Sequence, residues 1–355
     1  MDAVSLIPVP DAIPVHWFWL HLLLTLTTFL HFVAMNIMLG SGFIAFASPF
    51  WRGKDIMPLN GHIAKTLPYS IAFTINLGVA PLLFLQVLYG QFLYTSSILM
   101  AVYWLSIVGL LIVSYYAAYI YRLIDDRGGI GRLYIGAAVL LLLTVSFLFS
   151  NNVSIMQMPE VWTRYFSDRT GWLLNLSDPA LIPRYLHFIA SAVAMGGLAI
   201  ALYFEIRKRR GAADGDEWIT LGCNWFTVAT IINFGFVFWF LGTLPQASYD
   251  PATLGGKIFF ILVAGSVVTI IPSVAAAQTG RIIKATVWAL VTILLMTLAR
   301  DILRLTYLKP YFSLAELPYV PQYSPFIVFL LAFIGGGFLV GWMLKTVWNA
   351  KEVAK

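Results

Sequence analysis

Read along the chain, apolar residues fall in long unbroken runs separated by brief polar punctuation. They do not form the roughly ten-residue alternating segments of a transmembrane barrel strand. Nine runs have spanning length, at about 22–50, 68–94, 98–121, 132–150, 183–204, 220–244, 257–277, 284–306 and 324–347. A bilayer core needs about 20 apolar residues per helix, and a backbone in lipid must satisfy its own hydrogen bonds, so each run predicts a transmembrane helix. The second and third runs are separated by little more than Thr95–Ser97, which predicts a tight hairpin there. Ahead of the first run, Ile13–His21 is rich in Trp and bounded by Pro14; it is either a short interfacial helix or an extension of the first span. The expected architecture is therefore all-α: a polytopic transmembrane helical bundle of about nine spans, one domain over 1–355.

Composition sharpens that reading. Of 355 residues, 60% are hydrophobic and 11% charged, with a mean hydropathy of +0.84. Soluble domains carry about 25% charged residues, so a single large water-facing core is excluded. One cysteine, Cys223, rules out a disulfide framework and a C-x-x-C-H attachment site for c-type haem. The first residues hold two prolines and an aspartate and no basic stretch, and they read as lacking a cleavable signal. No phosphate loop, Ser–His–Asp arrangement or regularly spaced metal cluster is visible.

The net charge of +6 reads as a loop bias rather than as affinity for nucleic acid. With the N-terminus outside, the cytoplasmic ends hold Arg52, Lys54, Lys65, Arg122, Arg127, Arg132, Arg207–Arg210, Arg281, Lys284, Lys345, Lys351 and Lys355. The outer ends hold Arg164, Arg169, Arg184, Lys257 and Lys309, with Arg300 and Arg304, within or at the end of a span, left out of the count. The expected topology is a periplasmic N-terminus and a cytoplasmic C-terminus in a bacterial inner membrane. The longest loop, Asn151–Pro183, then faces outward, with Trp162, Trp172 and Arg164 as a partner surface.

Two segments echo each other. Leu30-His31-Phe32-Val33-Ala34 precedes Gly40, and Leu186-His187-Phe188-Ile189-Ala190 precedes Gly196. More loosely, Thr74-Ile75-Asn76-Leu77-Gly78 matches Thr230-Ile231-Ile232-Asn233-Phe234-Gly235, which suggests two related helical units. Ionisable groups inside a bilayer are costly and are functional candidates by default. His31 and His187, each near the outer end of its span with small residues downstream, are the first candidates. A neutral imidazole is a good axial ligand for haem iron, whereas a lone buried histidine more often only bonds a neighbouring helix. Asp301, flanked by Arg300 and Arg304 at roughly the same depth, is either an interfacial ion-pair member or a carboxylate at a cofactor, with an arginine on a propionate. His16 and His21 read as interfacial, and His62 as solvated in a basic loop. Met35, Met38, Met156, Met158 and Met296 offer sulfur ligands, although packing is the usual role of methionine, and Asn36, Asn76, Gln86 and Gln91 read as buried groups bonding other helices.

These positions carry a family resemblance. His31 followed by Leu39-Gly40, Ile75-Asn76 with Gly78-Val79-Ala80, Asn152 followed by Met156-Gln157-Met158-Pro159, and His187 with Ala190, Ser191 and Ala192 occur in this order over about residues 20–210. In order and spacing they resemble subunit I of the cytochrome bd oxidases, a nine-span quinol-oxidising protein with its haems near the outer face. The resemblance implies that His31 is the axial ligand of a high-spin haem and His187 a ligand of low-spin haem b. It places Asp301-Ile302-Leu303-Arg304 against the family's Glu-Tyr-Gly-Arg-Gln-Pro-Trp motif, of which only the acid and the base remain. Residues 22–210 form the similar part and 211–355 the divergent part. Leu244–Gly256 is far shorter than the family's quinol loop. Phe259-Phe260-Ile261-Leu262-Val263 offers no methionine ligand, and Ile98–Tyr121 holds none of the family's proton-pathway glutamates.

The expected function is a haem b-binding electron-transfer subunit working between the membrane quinone pool and a partner such as a periplasmic c-type cytochrome or another respiratory subunit. The alternatives are a divergent bd-type terminal oxidase, or a haem-free scaffold or transporter. A transporter would gather its polar groups near the bilayer midplane, and here they gather near one face.

Overall fold

The computed structural model describes residues 3–124, 129–212, 215–246 and 249–349. Among them are nine helices long and apolar enough to cross a membrane. They are α1 Trp17–Ala47, α2 Met57–Leu99, α3 Ala101–Leu123, α4 Ile130–Gln157, α5 Leu181–Arg209, α6 Asp216–Thr243, α7 Leu254–Gln278, α8 Ile282–Leu308 and α9 Tyr323–Asn349. Successive helices run in opposite directions, so α1, α3, α5, α7 and α9 start at one end of the bundle, here the N-side, and finish at the other, the C-side. The loop basic residues divide between the two ends accordingly. Arg127, Lys351 and Lys355 lie outside the described residues, as does the side chain of Lys54.

Polar residues move several boundaries from where hydropathy puts them. The Trp-rich segment 17–21 is the first turn of α1, an extension of the span, and it is capped by the His16 ring, which accepts a bond from the Phe18 amide at 3.3 Å. Thr95–Ser97 does not break α2. Thr95 and Ser96 donate their hydroxyls to Gln91 O (2.8 Å) and Leu93 O (2.9 Å) of their own helix, and the turn falls at Met100. With 43 residues, α2 extends about 64 Å, twice the hydrocarbon thickness. It contains Pro68 and Pro81 and departs from helical geometry at Tyr89 (φ −135°, ψ 28°). His62 therefore lies on a helix rather than in a loop, half-buried against Phe204 and 3.1 Å from Arg207.

The first eight helices form two four-helix units. His31 and His187, Gly40 and Gly196, and Thr74 and Thr230 are each separated by 156 residues. The packing repeats as well: α1 on α2 matches α5 on α6, α3 on α4 matches α7 on α8, and α1 on α4 matches α5 on α8. Contacts between the units follow the same exchange, with α1 on α8 answering α5 on α4. In each unit a buried serine of the third helix donates to an alanine carbonyl of the fourth, Ser114 to Ala138 O (3.1 Å) and Ser273 to Ala285 O (2.7 Å). Parallel repeats related about an axis along the membrane normal have this pattern.

The units meet where α1 and α5 cross. A β-carbon on Gly40 would collide with the Ala192 carbonyl oxygen, and one on Gly196 with the Gly40 backbone. Small residues permit this approach, which in lipid substitutes close packing for the absent hydrophobic drive. Gly197 and Gly222 do the same between α5 and α6. By contrast, α9 is exposed along nearly its whole length; it touches the bundle through Phe326 on Trp19 and Phe329 on Phe84, at ring separations of 6.5 and 5.9 Å. Its lead-in is tied to the N-terminal segment by Ile13 N to Pro318 O (2.9 Å), Val320 N to Ile13 O (3.0 Å) and Gln322 N to Pro14 O (2.7 Å).

Candidate functional site

His31 projects from α1 toward α2, where its Nδ1 lies 3.2 Å from the Thr74 carbonyl oxygen. A carbonyl only accepts, so Nδ1 carries the proton and Nε2 keeps its lone pair. The ring rests against the backbone of Gly78, where a β-carbon would stand 2.9 Å from its Cε1. His187 repeats the arrangement with a different partner. Its Nδ1 lies 2.8 Å from Asn233 Oδ1 on α6, and the Asn233 amide nitrogen donates to Ser191 Oγ at 2.9 Å. That second bond fixes the amide orientation, so Nδ1 of His187 is again the donor. The position 156 residues after Gly78 is Phe234, and there the ring is met by an amide instead of lying on bare backbone.

Among the described residues, Nε2 of neither histidine has a hydrogen-bond partner, and both rings are half-buried. The rings face different helices, α2 and α6. Imidazoles that ligate metals are held in this way, with one nitrogen donated to a carbonyl or amide oxygen and the other left free. No group of three or more His, Cys, Asp or Glu side chains gathers for a bare ion among the described residues. Single oriented imidazoles instead suit iron whose equatorial positions a porphyrin fills, and in that respect the donor set fits haem.

Asp301 of α8 is buried at 2% exposure. It accepts from Thr25 Oγ1 of α1 at 2.5 Å and from Arg304 Nη2 at 2.6 Å. The Arg304 guanidinium also lies 4.9 Å over the Tyr89 ring, at the irregular turn of α2. The pair thus ties α8 to both helices that hold His31. Its depth differs from the expectation: Thr25 precedes His31 by six residues, about 9 Å along the helix toward the N-side. Arg300, one residue before Asp301, comes closer to the histidine, its guanidinium 5.3 Å over the ring of Phe32. His21 belongs to the Asp301 group too; it lies one turn from Thr25 within electrostatic reach of Asp301 and Arg304, with its Nδ1 buried and unpaired.

Other candidates take structural roles. Trp162 is buried at 2% exposure and donates to Ile155 O at 2.8 Å, so it is core and not partner surface. Trp172 is exposed, edge-on to Tyr103, and Arg164 is exposed and donates to Ser177 Oγ at 2.9 Å. Asn76 is exposed and donates to Ala72 O of its own helix, whereas Asn36 is buried with Oδ1 unpaired. Met158 serves as a sulfur acceptor for Asn175 Nδ2 at 3.4 Å. The network that sequence reading missed centres on Asp178, which accepts from Ser154 Oγ at 2.6 Å and the Ala180 amide at 2.9 Å and pairs with Arg184 at 3.6 Å. Asp168, outside the spans, has its carboxyl held below the usual range by the hydroxyl and then the amide of Thr170.

No known protein family, curated protein or solved structure matches this chain.

Proposed function

We propose that this multi-pass membrane protein is a haem b-binding electron-transfer subunit resembling cytochrome bd subunit I. In this reading the N-side faces the periplasm, as the concentration of basic residues on the C-side supports. The observation that carries the proposal is the matched pair of histidines. They stand at the same register of a twofold repeat, each with Nδ1 committed to an acceptor and Nε2 free. Because the rings face different helices, each would serve its own iron rather than share one. Asp301 and Arg304 would steady the α1–α2 side of the His31 site, and the second unit would hold His187.

When bound, haem iron supplies reversible one-electron chemistry. The chain's own residues do the rest. Thr74 O and Asn233 Oδ1 orient the imidazoles, Gly78 leaves room beside His31, and the apolar helices limit access of water. The quinone pool and a periplasmic c-type cytochrome or other respiratory subunit are the proposed electron partners, with the exposed Trp172 and Arg164 on the docking side. The absence of carboxylates from α3, Ala101–Leu123, argues against a proton route for oxygen reduction.

The test is a reduced-minus-oxidised spectrum of the purified chain with pyridine haemochrome quantitation. A b-type signal that loses its low-spin component in His187→Ala, with insertion intact, is the expected result. A correctly inserted chain without haem sinks the proposal. Oxygen uptake by the purified complex would move it to the oxidase alternative.

A further inference from the structure

Arginine inside a span is expensive unless its charge is answered. Near the N-side Arg300 lies within electrostatic reach of two other arginines, Arg184 and Arg304, and each of those is accompanied by an aspartate, Asp178 and Asp301. The two acids are largely spent. Asp301 closes on Arg304 at 2.6 Å and on Thr25, and Asp178 already receives Ser154 and the Ala180 amide. Arg184 reaches Asp178 only at 3.6 Å and the Ser150 carbonyl at 3.1 Å, and its Nε is buried without a partner. Arg300 makes no hydrogen bond and no ion pair among the described residues; it is half-buried with its guanidinium carbon 5.3 Å over the Phe32 ring. It stands eight residues before the end of α8, about 12 Å into the span.

Among the described residues this leaves the positive charge of Arg300 unanswered, beside Phe32 and within electrostatic reach of His31. An aromatic ring takes up none of a guanidinium's hydrogen-bonding capacity at this distance, so the N–H fork stays available, and that fork matches a carboxylate. We propose that Arg300, with Arg184 beside it, binds the carboxylate edge of the porphyrin that His31 ligates. This rests on the haem reading above and assigns the anion-binding role to Arg300 in place of Arg304, whose charge Asp301 already answers.

The test uses the full-length chain in detergent with its haem content quantified, alongside His31→Ala to mark which haem belongs to His31. Arg300→Gln removes a cation that favours the added electron. It is expected to shift the reduction equilibrium of that haem about tenfold toward the oxidised form, ~59 mV lower for a one-electron couple, and to speed its loss on washing. Arg300→Lys keeps the charge and loses the fork, so the potential should hold within threefold while washout still accelerates; this variant carries the test if Arg300→Gln does not fold. Arg184→Gln should shift the potential in the same direction by less. Unchanged potential and unchanged retention in Arg300→Gln overturn the proposal while leaving the haem reading standing. Wild-type chain without porphyrin overturns both. Co-purifying phosphate that Arg300→Gln loses, with the potential unmoved, shows a lipid headgroup at Arg300 and also overturns it.

Discussion

At Gly78 the ring of His31 occupies the space any β-carbon would need, and the ring cannot retreat without breaking its bond to Thr74 O. Gly78→Ala should therefore displace the imidazole, and haem content measured by pyridine haemochrome should fall although no ligand atom has been removed. Replacement of Asn233 by Leu should act likewise on His187 by freeing its tautomer; loss of such an outer partner typically costs 10–100-fold in metal affinity. Asp301→Ala leaves Arg304 charged and buried beside Tyr89, and a cost of about 3–5 kcal/mol is expected in unfolding measurements. Asp301→Ala combined with Arg304→Leu should cost less than Asp301→Ala alone. In the loop after α4, Asp168 titrates below its unfolded value, so its contribution is present at neutral pH and lost as pH falls through the folded value. Hydrogen exchange at the Thr170 amide, compared with Asp168→Ala at equal pH, should show protection at pH 7 that disappears in acid.

Between elements, the decisive contacts are made by residues with almost no side chain. Gly40→Ala or Gly196→Ala must push α1 and α5 apart, and each should lower thermal stability sharply, whereas Gly109→Ala on α3 meets nothing within 4 Å and should be neutral or stabilising by ~0.5–1 kcal/mol. The nine helices were legible because lipid leaves a long apolar run few alternatives. Helix ends were less so, since hydroxyls at Thr95 and Ser96 satisfy themselves on α2 and let a polar stretch continue the helix. His16 capping α1 and Trp162 bonding Ile155 O were also out of reach, because each role depends on which backbone atom a fold delivers. The histidine pair was visible as an echo in sequence. Its common geometry was not, for Thr74 contributes a carbonyl that any residue could supply. Arg300 and Arg304 looked alike four residues apart, and only the position of Asp301 separates them.

On the scale of the whole molecule, two similar units face each other across α1 and α5, and α9 stands outside the symmetry. Among the described residues its attachment is slight: three ring contacts, Phe326 on Trp19, Phe329 on Phe84 and Tyr319 edge-on to His16, and three backbone bonds from residues 13–14 to 318–322. A chain lacking residues 1–14 should still fold α1–α8, but added protease should cut near 319–322 much faster than in the intact chain. That same tie sets an order of assembly. Ile13 leaves the ribosome some three hundred residues ahead of Pro318 and Val320 and must wait for them before its backbone is paired. During translation, then, the edge around Ile13 stays open until the segment after α8 has emerged, and α9 is anchored only after that.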